Sequence, residues 1–380
     1  MSLIEKKIKG LLSTENITRN ELQQLAVDLS YEKKNIFFNW GTRLGKSKCI
    51  MEIVKSHGFE KVLFVCSQNI HIQNFKDDCQ KFGFDLSPYV FICWNSYHSY
   101  EGLVWDAIIQ DEVDHSIDNH IAYLSKCKYN HVYFLTATIS QEQEHKLRQI
   151  DYFKWTITSS QAMDWKILPL PTVWVKPIIL NKNQIKDLTN LETWIDKLKV
   201  KANEVGWETV KNGKKVPTWE GLSVLRKGGE RKLFFEKIKM DWFEEEEIFN
   251  KFKNNRTIFF LPGIHESKKL GNSVSSLENI KTNNKILDNF NSGKINYIIS
   301  KKILVRGVNV MNVNWGYFGI LDLKGTNLIQ STARVLLGVA PNIIIPYIKG
   351  SKEEIVLNKF LKSFQCRIKE FKLNKQEYGD

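Results

Sequence analysis

Residues 35–54 read NIFFNWGTRLGKSKCIMEIV, and this stretch carries the strongest indication of the fold. The apolar run at 35–38 predicts a buried strand, and the run at 49–54 predicts a helix. The residues between them are Gly41-Thr42-Arg43-Leu44-Gly45-Lys46-Ser47. A glycine-containing turn that joins a strand to a helix is typical of a P-loop, where backbone N–H groups and a helix N-terminus cradle phosphates. The sequence therefore predicts a phosphate-binding site within an α/β fold.

The residue types of this turn suit a nucleotide triphosphate. Gly41 to Gly45 would form the cradle, the Lys46 ammonium would reach the β and γ oxygens, and the Ser47 hydroxyl would bind Mg²⁺. The strict pattern has a glycine five residues before Gly45, and Trp40 stands there instead. The alternative interpretation is a chance Gly-Lys-Ser at a helix start.

A second group of chemically suited residues follows another apolar run. Residues 107–110 precede Asp111-Glu112-Val113-Asp114. Carboxylates at the carboxyl end of a parallel strand point into the ligand crevice. We expect Asp111 to hold Mg²⁺ and Glu112 to polarise the attacking water, whereas the alternative is an ordinary acidic loop. The hydroxyls of Thr136 and Thr138, after the next apolar run, are expected to hydrogen-bond this acidic motif.

Short, continuous apolar runs recur along the chain in two series, which suits strands buried on both faces of parallel sheets. They lie at 61–65, 90–92, 107–109 and 132–135, then at 173–175, 257–260, 297–299, 317–320 and 343–345. Two series predict two α/β domains, which we place at 1–165 and 166–380. Between about 181 and 255 the pattern changes, and apolar residues at helical spacing predict a mostly helical insertion in the second domain; they are Phe235, Ile238, Trp242, Phe249 and Phe252.

The composition indicates a polyanionic partner. The 380 residues include 55 Lys or Arg and 42 Asp or Glu, a net charge of +13. A protein this basic favours nucleic acid as a partner, although a lysine-rich solvated surface is the alternative. The six cysteines have no C-x-x-C spacing and mostly adjoin apolar residues, which predicts buried thiols and a reducing cytoplasm. The first residues lack the apolar core of a signal peptide, and no apolar run approaches the roughly 18–20 residues of a membrane span, so we expect neither a leader nor a span.

Taken in order, these residues resemble a superfamily 2 helicase of the DEAD/DEAH-like kind, in its compact bacteriophage type. Residues 306–309, Arg-Gly-Val-Asn, resemble the family's (R/E)-G-(V/I)-(D/N) motif. Residues 330–334, Gln-Ser-Thr-Ala-Arg, resemble the Q-x-x-G-R-x-x-R motif, and residues 167–171, Ile-Leu-Pro-Leu-Pro, resemble the link between the two domains. The resemblance covers nearly the whole chain.

This resemblance implies two tandem RecA-like parallel-sheet motor domains that use ATP and Mg²⁺. It implies catalytic roles for Glu112, Gln330 and Arg334, the last as an arginine finger, and nucleotide contacts for Gly307 and Asn309. The family often binds adenine with a glutamine about twenty residues before the P-loop lysine. Gln23 and Gln24 both qualify, and the spacing favours Gln24.

Two departures from the family leave the activity open. Ala333 replaces the glycine of the Q-x-x-G-R-x-x-R motif, and Leu337 replaces its second arginine. The first hypothesis is a DNA helicase or translocase in replication, recombination or repair, plausibly of phage origin. The others are an RNA helicase and a hydrolysis-impaired nucleic-acid-binding subunit. The expected partners are single-stranded or branched DNA, or RNA, and a replication or recombination protein, in the cytoplasm (the host's, for a phage protein) and away from membranes.

Overall fold

The computed structural model describes residues 3–11, 17–115, 118–137, 139–211, 214–262, 268–275, 278–300, 310–321 and 340–372, together with Leu328, Thr332, Val335 and Gly338. These residues divide into two compact units. The first holds the described residues up to Pro171, with Val310, Met311 and those described between Ile329 and Ala340. The second holds those described in Thr172–Ile303, Asn312–Leu328 and Pro341–Asp380. The boundary between 165 and 166 stays a prediction.

The first unit alternates strands and helices along the chain. Its elements are α1 (Leu3–Leu11), α2 (Arg19–Glu32), β1 (Asn35–Trp40), α3 (Lys46–His57), β2 (Val62–Cys66), α4 (Asn69–Phe82), β3 (Tyr89–Cys93), β4 (Val104–Asp111), α5 (Asp118–Lys126), β5 (Lys128–Thr136), α6 (Gln141–Leu147), β6 (Phe153–Ile157) and α7 (Ser159–Asp164). Short 3₁₀ segments follow β3 at Trp94–Tyr100 and β4 at Val113–His115.

The strands of the first unit form one parallel sheet in the order β3-β2-β4-β5-β1-β6. All five residues of β2 are buried, as are four in a row in β4, because helices cover both faces of a parallel sheet. The carboxyl ends of β1, β4 and β5 lie near one another in this order. The P-loop and the acidic motif therefore emerge at the same edge of the sheet.

The second unit contains a longer series of elements. They are β7 (Thr172–Ile178), α8 (Lys182–Val205), β8 (Glu208–Lys211), β9 (Lys214–Pro217), α9 (Trp219–Glu245), α10 (Ile248–Phe252), β10 (Thr257–Phe260), β11 (Ser273–Val274), α11 (Ile280–Asn291), β12 (Tyr297–Ser300), β13 (Trp315–Phe318), β14 (Asn342–Ile348), α12 (Lys352–Ser363) and β15 (Arg367–Glu370). Seven of these strands form a parallel sheet in the order β11-β12-β10-β13-β14-β7-β15, whereas β8 and β9 form a separate antiparallel hairpin.

Helix α9 packs against two different parts of the second unit. Its carboxyl half packs on the second sheet, where Phe243 meets Tyr317 with ring centroids 4.8 Å apart. Its amino half pairs with α8 instead. The apolar spacing that predicted helices here is confirmed, since Phe235, Ile238 and Trp242 are buried along α9. The prediction of an α/β fold with two parallel sheets is confirmed as well.

The remaining global predictions concern thiols and membranes. Four of the six cysteines are buried, namely Cys49, Cys66, Cys79 and Cys127, which confirms the prediction of mostly buried thiols. Burial raises the pKa of the Cys66 thiol to about 12. Within the part of the chain that the structure describes, no helix combines the length and the apolar character needed to cross a membrane.

Candidate nucleotide-binding site

The predicted P-loop turns sharply between a strand and a helix. Strand β1 ends at Trp40, α3 begins at Lys46, and the turn between them puts Arg43 at φ 70° and Gly45 at φ 85°. Gly45 is the residue that precedes the helix, and it has no side chain with which to cap the first turn. The first N–H groups of an α-helix have no partner within the helix, and together with the helix dipole they attract an anion.

Neighbouring side chains approach two glycines of the loop closely. A Cβ atom on Gly41 would lie 2.8 Å from Ser159 Oγ, and one on Gly45 would lie 2.4 Å from Gln23 Nε2. The Gly41 N–H also donates to the Ile157 carbonyl at 2.8 Å, which ties the start of the loop to β6. Glycine at these positions therefore lets the backbone pack against its surroundings.

Lys46 lies at the first turn of α3 with its head group folded over the loop. Its Nζ donates to the Trp40 carbonyl at 2.9 Å and to the Gly41 carbonyl at 3.4 Å. These carbonyls hold the ammonium at the mouth of the cradle. A flexible four-carbon stem allows the ammonium to exchange these contacts for phosphate oxygens.

The acidic motif begins at the last residue of β4. Burial and the negative charge of Glu112 raise the pKa of the Asp111 carboxyl to about 7, although the Lys46 ammonium acts in the opposite direction. Lys46 and Asp111 therefore interact electrostatically, although they come from different strand ends. Glu112 has a left-handed backbone, φ 53°, which turns the chain sharply after the strand.

This environment fits a divalent cation. A half-buried carboxylate beside a second carboxylate is stabilised by added positive charge. Mg²⁺ prefers hard oxygen ligands and takes few of them from the protein, and Asp111 and the Ser47 hydroxyl supply that donor type. The residues are thus suited to the ion that the sequence predicted.

The acidic motif is tied to the next strand. Thr136 Oγ1, at the end of β5, donates to Asp114 Oδ1 at 3.0 Å, and both side chains are buried. Gln143 Nε2, in the first turn of α6, donates to the Asp114 carbonyl. The prediction that Thr136 hydrogen-bonds the acidic motif is confirmed, whereas Thr138 lies outside the described residues.

The structure separates the two adenine candidates. Gln23 is buried and its Nε2 donates to the Gly45 carbonyl at 3.4 Å, whereas the exposed Gln24 donates to Asp28 one turn along α2. Gln23 therefore lies against the P-loop, and Gln24, which the spacing favoured, points to solvent. The face of the helix explains this, because Gln23 shares its side of α2 with the buried residues Ala26, Val27 and Ser30.

Sequence reasoning missed two side chains that support the site, Ser159 and Gln143. Ser159 is the first residue of α7, whose capping box is formed by Thr158 and Gln161. Gln143 lies in the first turn of α6 and forms a capping box with Ser140. Both capping boxes are visible in the sequence. That signal places helix starts close to the strand ends, but it does not reveal which neighbour they contact.

The predicted residues from the second half of the chain, Gly307, Asn309, Gln330 and Arg334, lie outside the described residues, as do Arg306, Ala333 and Leu337. Their roles stay predictions.

The sequence matches no known family profile and no curated protein sequence. Solved structures do resemble the fold. The helicase domain of Hef from Pyrococcus furiosus has a TM-score of 0.56 at 12% identity, with 89% of this chain and 97% of that chain covered. Dbp5 of S. cerevisiae, bound to RNA and ADP BeF3, has a TM-score of 0.60 at 10% identity, with 98% and 94% covered.

These similarities, together with the two parallel sheets, define the class of the fold. The chain has two tandem RecA-like parallel-sheet domains, the fold that the helicase domain of Hef and Dbp5 also have.

Proposed function

We propose that this chain is an ATP-dependent nucleic-acid helicase or translocase that acts on DNA. The observation that supports this best is that the loop with Lys46, after β1, and Asp111, at the end of β4, emerge at the same edge of one parallel sheet. That edge is the crevice where such sheets bind ligands. The helicase-like fold supports the coupling of this site to movement along a polynucleotide.

Each residue has a distinct role in the proposed reaction. The N–H groups of the first turn of α3 and the Lys46 ammonium hold the phosphates, and Glu112 orients the attacking water. Ser47 and Asp111 would hold Mg²⁺, which supplies positive charge to the phosphate oxygens. Gln23 is the better placed of the two glutamines for adenine.

The roles of four further residues rest on their motifs alone. Arg334 supplies positive charge to the transferring phosphoryl group, an effect worth roughly 10³–10⁵ in rate for an arginine finger. Gln330 assists it, and Gly307 and Asn309 contact the nucleotide. Leu337 leaves the motif with one arginine, so we propose that Arg334 alone supplies this charge.

The DNA assignment rests on two sequence features, the Val308-Asn309 ending of its motif and the link at 167–171. The link also favours the bacteriophage type, and we propose a role in replication, recombination or repair. An RNA helicase is the second candidate. The tetrapeptide Asp111-Glu112-Val113-Asp114 and the similarity to Dbp5, which was solved with RNA, favour it.

The test is steady-state ATP turnover by the full chain with no polynucleotide, single-stranded DNA, branched DNA or single-stranded RNA. The proposal predicts stimulation by DNA and weaker stimulation by RNA. Stimulation by RNA alone would select the RNA helicase. ATP-independent binding of DNA with no turnover under any condition would select the hydrolysis-impaired binding subunit that Leu337 suggests.

A further inference from the structure

Helices α8 and α9 pack side by side and are joined by the β8–β9 hairpin. Residues 197–232, which comprise the hairpin and the adjoining turns of both helices, are called the hairpin end below. None of these residues has a proposed role in the nucleotide site. Their charge and their aromatic side chains nevertheless set them apart from the remainder of the second unit.

Positive charge is concentrated at the hairpin end. It contains ten Lys or Arg and four Glu, a net charge of +6, which is nearly half of the +13 of the whole chain. By contrast, residues 233–253 contain four Lys and six Asp or Glu, a net charge of −2. The charge gradient along this segment therefore directs a polyanion to the hairpin and away from the base of α9.

Several of these lysines are exposed and lack an acidic partner. Among the ion pairs of the described residues, none involves Lys197, Lys201, Lys211 or Lys215, and all four are exposed. Two of these four lysines, Lys211 and Lys215, lie on the two strands of the hairpin.

Two tryptophans flank the hairpin. Trp219, the first residue of α9, is 75% exposed, and Trp207, just before β8, is 42% exposed. An indole that protrudes into water from a strongly basic surface offers a flat face to a nucleobase, and every base has a face on which it can stack. Exposed aromatic rings that stack on bases and lysines that contact the phosphates are the two components of a site that binds single strands of any sequence.

The backbone beneath these rings is fixed by hydrogen bonds. Trp207 Nε1 donates to Asn203 Oδ1 at 2.8 Å, and Thr218 Oγ1 donates to the Gly206 carbonyl at 2.7 Å. The same Thr218 hydroxyl accepts from the Gly221 N–H and so caps α9. A Cβ atom on Gly221 would lie 2.6 Å from the Trp207 carbonyl, so the strand and the helix meet closely here. The platform is ordered before any ligand arrives, which reduces the entropy lost on binding.

We propose that the hairpin end is a second binding site for single-stranded nucleic acid. Trp219 and Trp207 stack on unpaired bases, and the exposed hairpin lysines, Lys211 on one face and Lys215 on the other, offer contacts to the phosphates. A protein partner would also cover exposed apolar rings, but the excess of positive charge favours the polyanion. The inference goes beyond the proposed motor activity and requires neither the P-loop nor a nucleotide.

The experiment measures the affinity of the full chain for a short fluorescein-labelled oligothymidylate, an oligouridylate and a duplex of equal length, by anisotropy and without nucleotide. The variants are Trp219→Ala, Trp219→Phe and, as a matched control, Trp194→Ala. Trp194 is an exposed tryptophan of α8 that lies thirteen residues before Trp207, about 20 Å along a helix. Circular dichroism checks that each variant keeps its helices, which we expect because the substituted positions are exposed.

We expect Trp219→Ala to weaken binding of both single strands by about fivefold or more, because stacking contributes at least about 1 kcal/mol per base. Trp219→Phe should retain most of the affinity, and Trp194→Ala should match the parent. Lys211→Gln with Lys215→Gln should reduce the salt slope of log K by about 0.7 for each phosphate that the protein no longer neutralises.

Equal affinity of the parent and Trp219→Ala for single strands would overturn the proposal. So would a self-association of the parent that Trp219→Ala abolishes while oligonucleotide binding is unchanged, since the face would then join copies of the chain. Because no nucleotide is present, these outcomes are independent of whether the P-loop binds ATP.

Discussion

Thr136 Oγ1 donates a 3.0 Å hydrogen bond to Asp114 Oδ1, and the exposed fractions of the two residues are 0% and 8%. The bond connects the carboxyl end of β5 to the acidic motif that follows β4. A carboxyl group so far removed from water depends on its hydrogen bonds for stability. This contact therefore fixes the turn that carries Glu112, two residues before Asp114.

The first prediction concerns this bond. Thr136→Val keeps the shape of the side chain but removes the donor, and it should lower the free energy of unfolding by about 1–3 kcal/mol. It should also reduce stimulation of ATP turnover by nucleic acid, because the position of Glu112 is loosened. Thr136→Ser keeps the hydroxyl and is the control in urea unfolding and turnover assays. Equal stability of the two variants would show that the bond contributes nothing.

The second prediction concerns Gly45. Gly45→Ala should cost about 1–2 kcal/mol of stability for the left-handed backbone, and the added Cβ should displace Gln23 and weaken ATP binding. The control is Gly58→Ala, because Gly58 has φ 64° at the end of the same helix and no atom within 4 Å of its added Cβ. Urea unfolding should show a loss for both variants, larger for Gly45→Ala because buried Gln23 must move, and only Gly45→Ala should weaken ATP binding in titration. Parent-like ATP affinity in Gly45→Ala would contradict the packing argument.

The third prediction concerns Glu112. Glu112→Gln keeps the shape of the side chain but removes the base that orients water, so turnover should fall while ATP still binds. ATP should then increase the affinity of the variant for nucleic acid. Glu142→Gln, on the exposed first turn of α6, is the control. Nucleic-acid affinity that does not respond to ATP in Glu112→Gln would argue against coupling between the two ligands.

The fourth prediction concerns an ion pair that holds α9 to α12. Lys239 Nζ lies 2.6 Å from Glu353 Oε1, both side chains are buried, and Glu353 Oε2 accepts from the Ile348 N–H at 3.1 Å. Lys239→Met leaves a buried carboxylate without its cation and should cost about 3–5 kcal/mol. Lys227→Met breaks a more exposed pair with Glu230 and should cost about 0–1 kcal/mol. Denaturant unfolding of both variants measures the difference, and equal losses would refute the role of burial.

The sequence predicted the central strands of both sheets because their buried runs are apolar and continuous. It did not predict β6, in which Lys154 is exposed and Trp155 is buried, or β15, whose residues are all exposed. Both are edge strands, where one side makes no ladder contacts and composition is less constrained. Spacing alone also failed to distinguish Gln23 from Gln24, because that choice depends on which face of α2 packs against the P-loop.

The P-loop and the acidic motif were predicted with their positions at strand ends, since a parallel sheet fixes where such ends meet. Their electrostatic interaction could not be read from the sequence, because Lys46 and Asp111 are 65 positions apart and come from strands β1 and β4, between which β5 lies. The same reason hides the contact of Ser159 with Gly41. Long-range packing, and not local pattern, places these groups together.

The most direct test of the central claim is ATP turnover by Lys46→Ala in the presence of single-stranded DNA. The Lys46 ammonium contacts loop carbonyls and interacts with Asp111. Because these contacts lie in the proposed phosphate site and not in the hydrophobic core, loss of the ammonium should leave the fold intact. It should abolish stimulated hydrolysis. Lys48→Ala, two residues along the same helix, should hydrolyse ATP at the parent rate. Parent-level turnover by a folded Lys46→Ala variant would contradict the assignment of this loop as the ATP site.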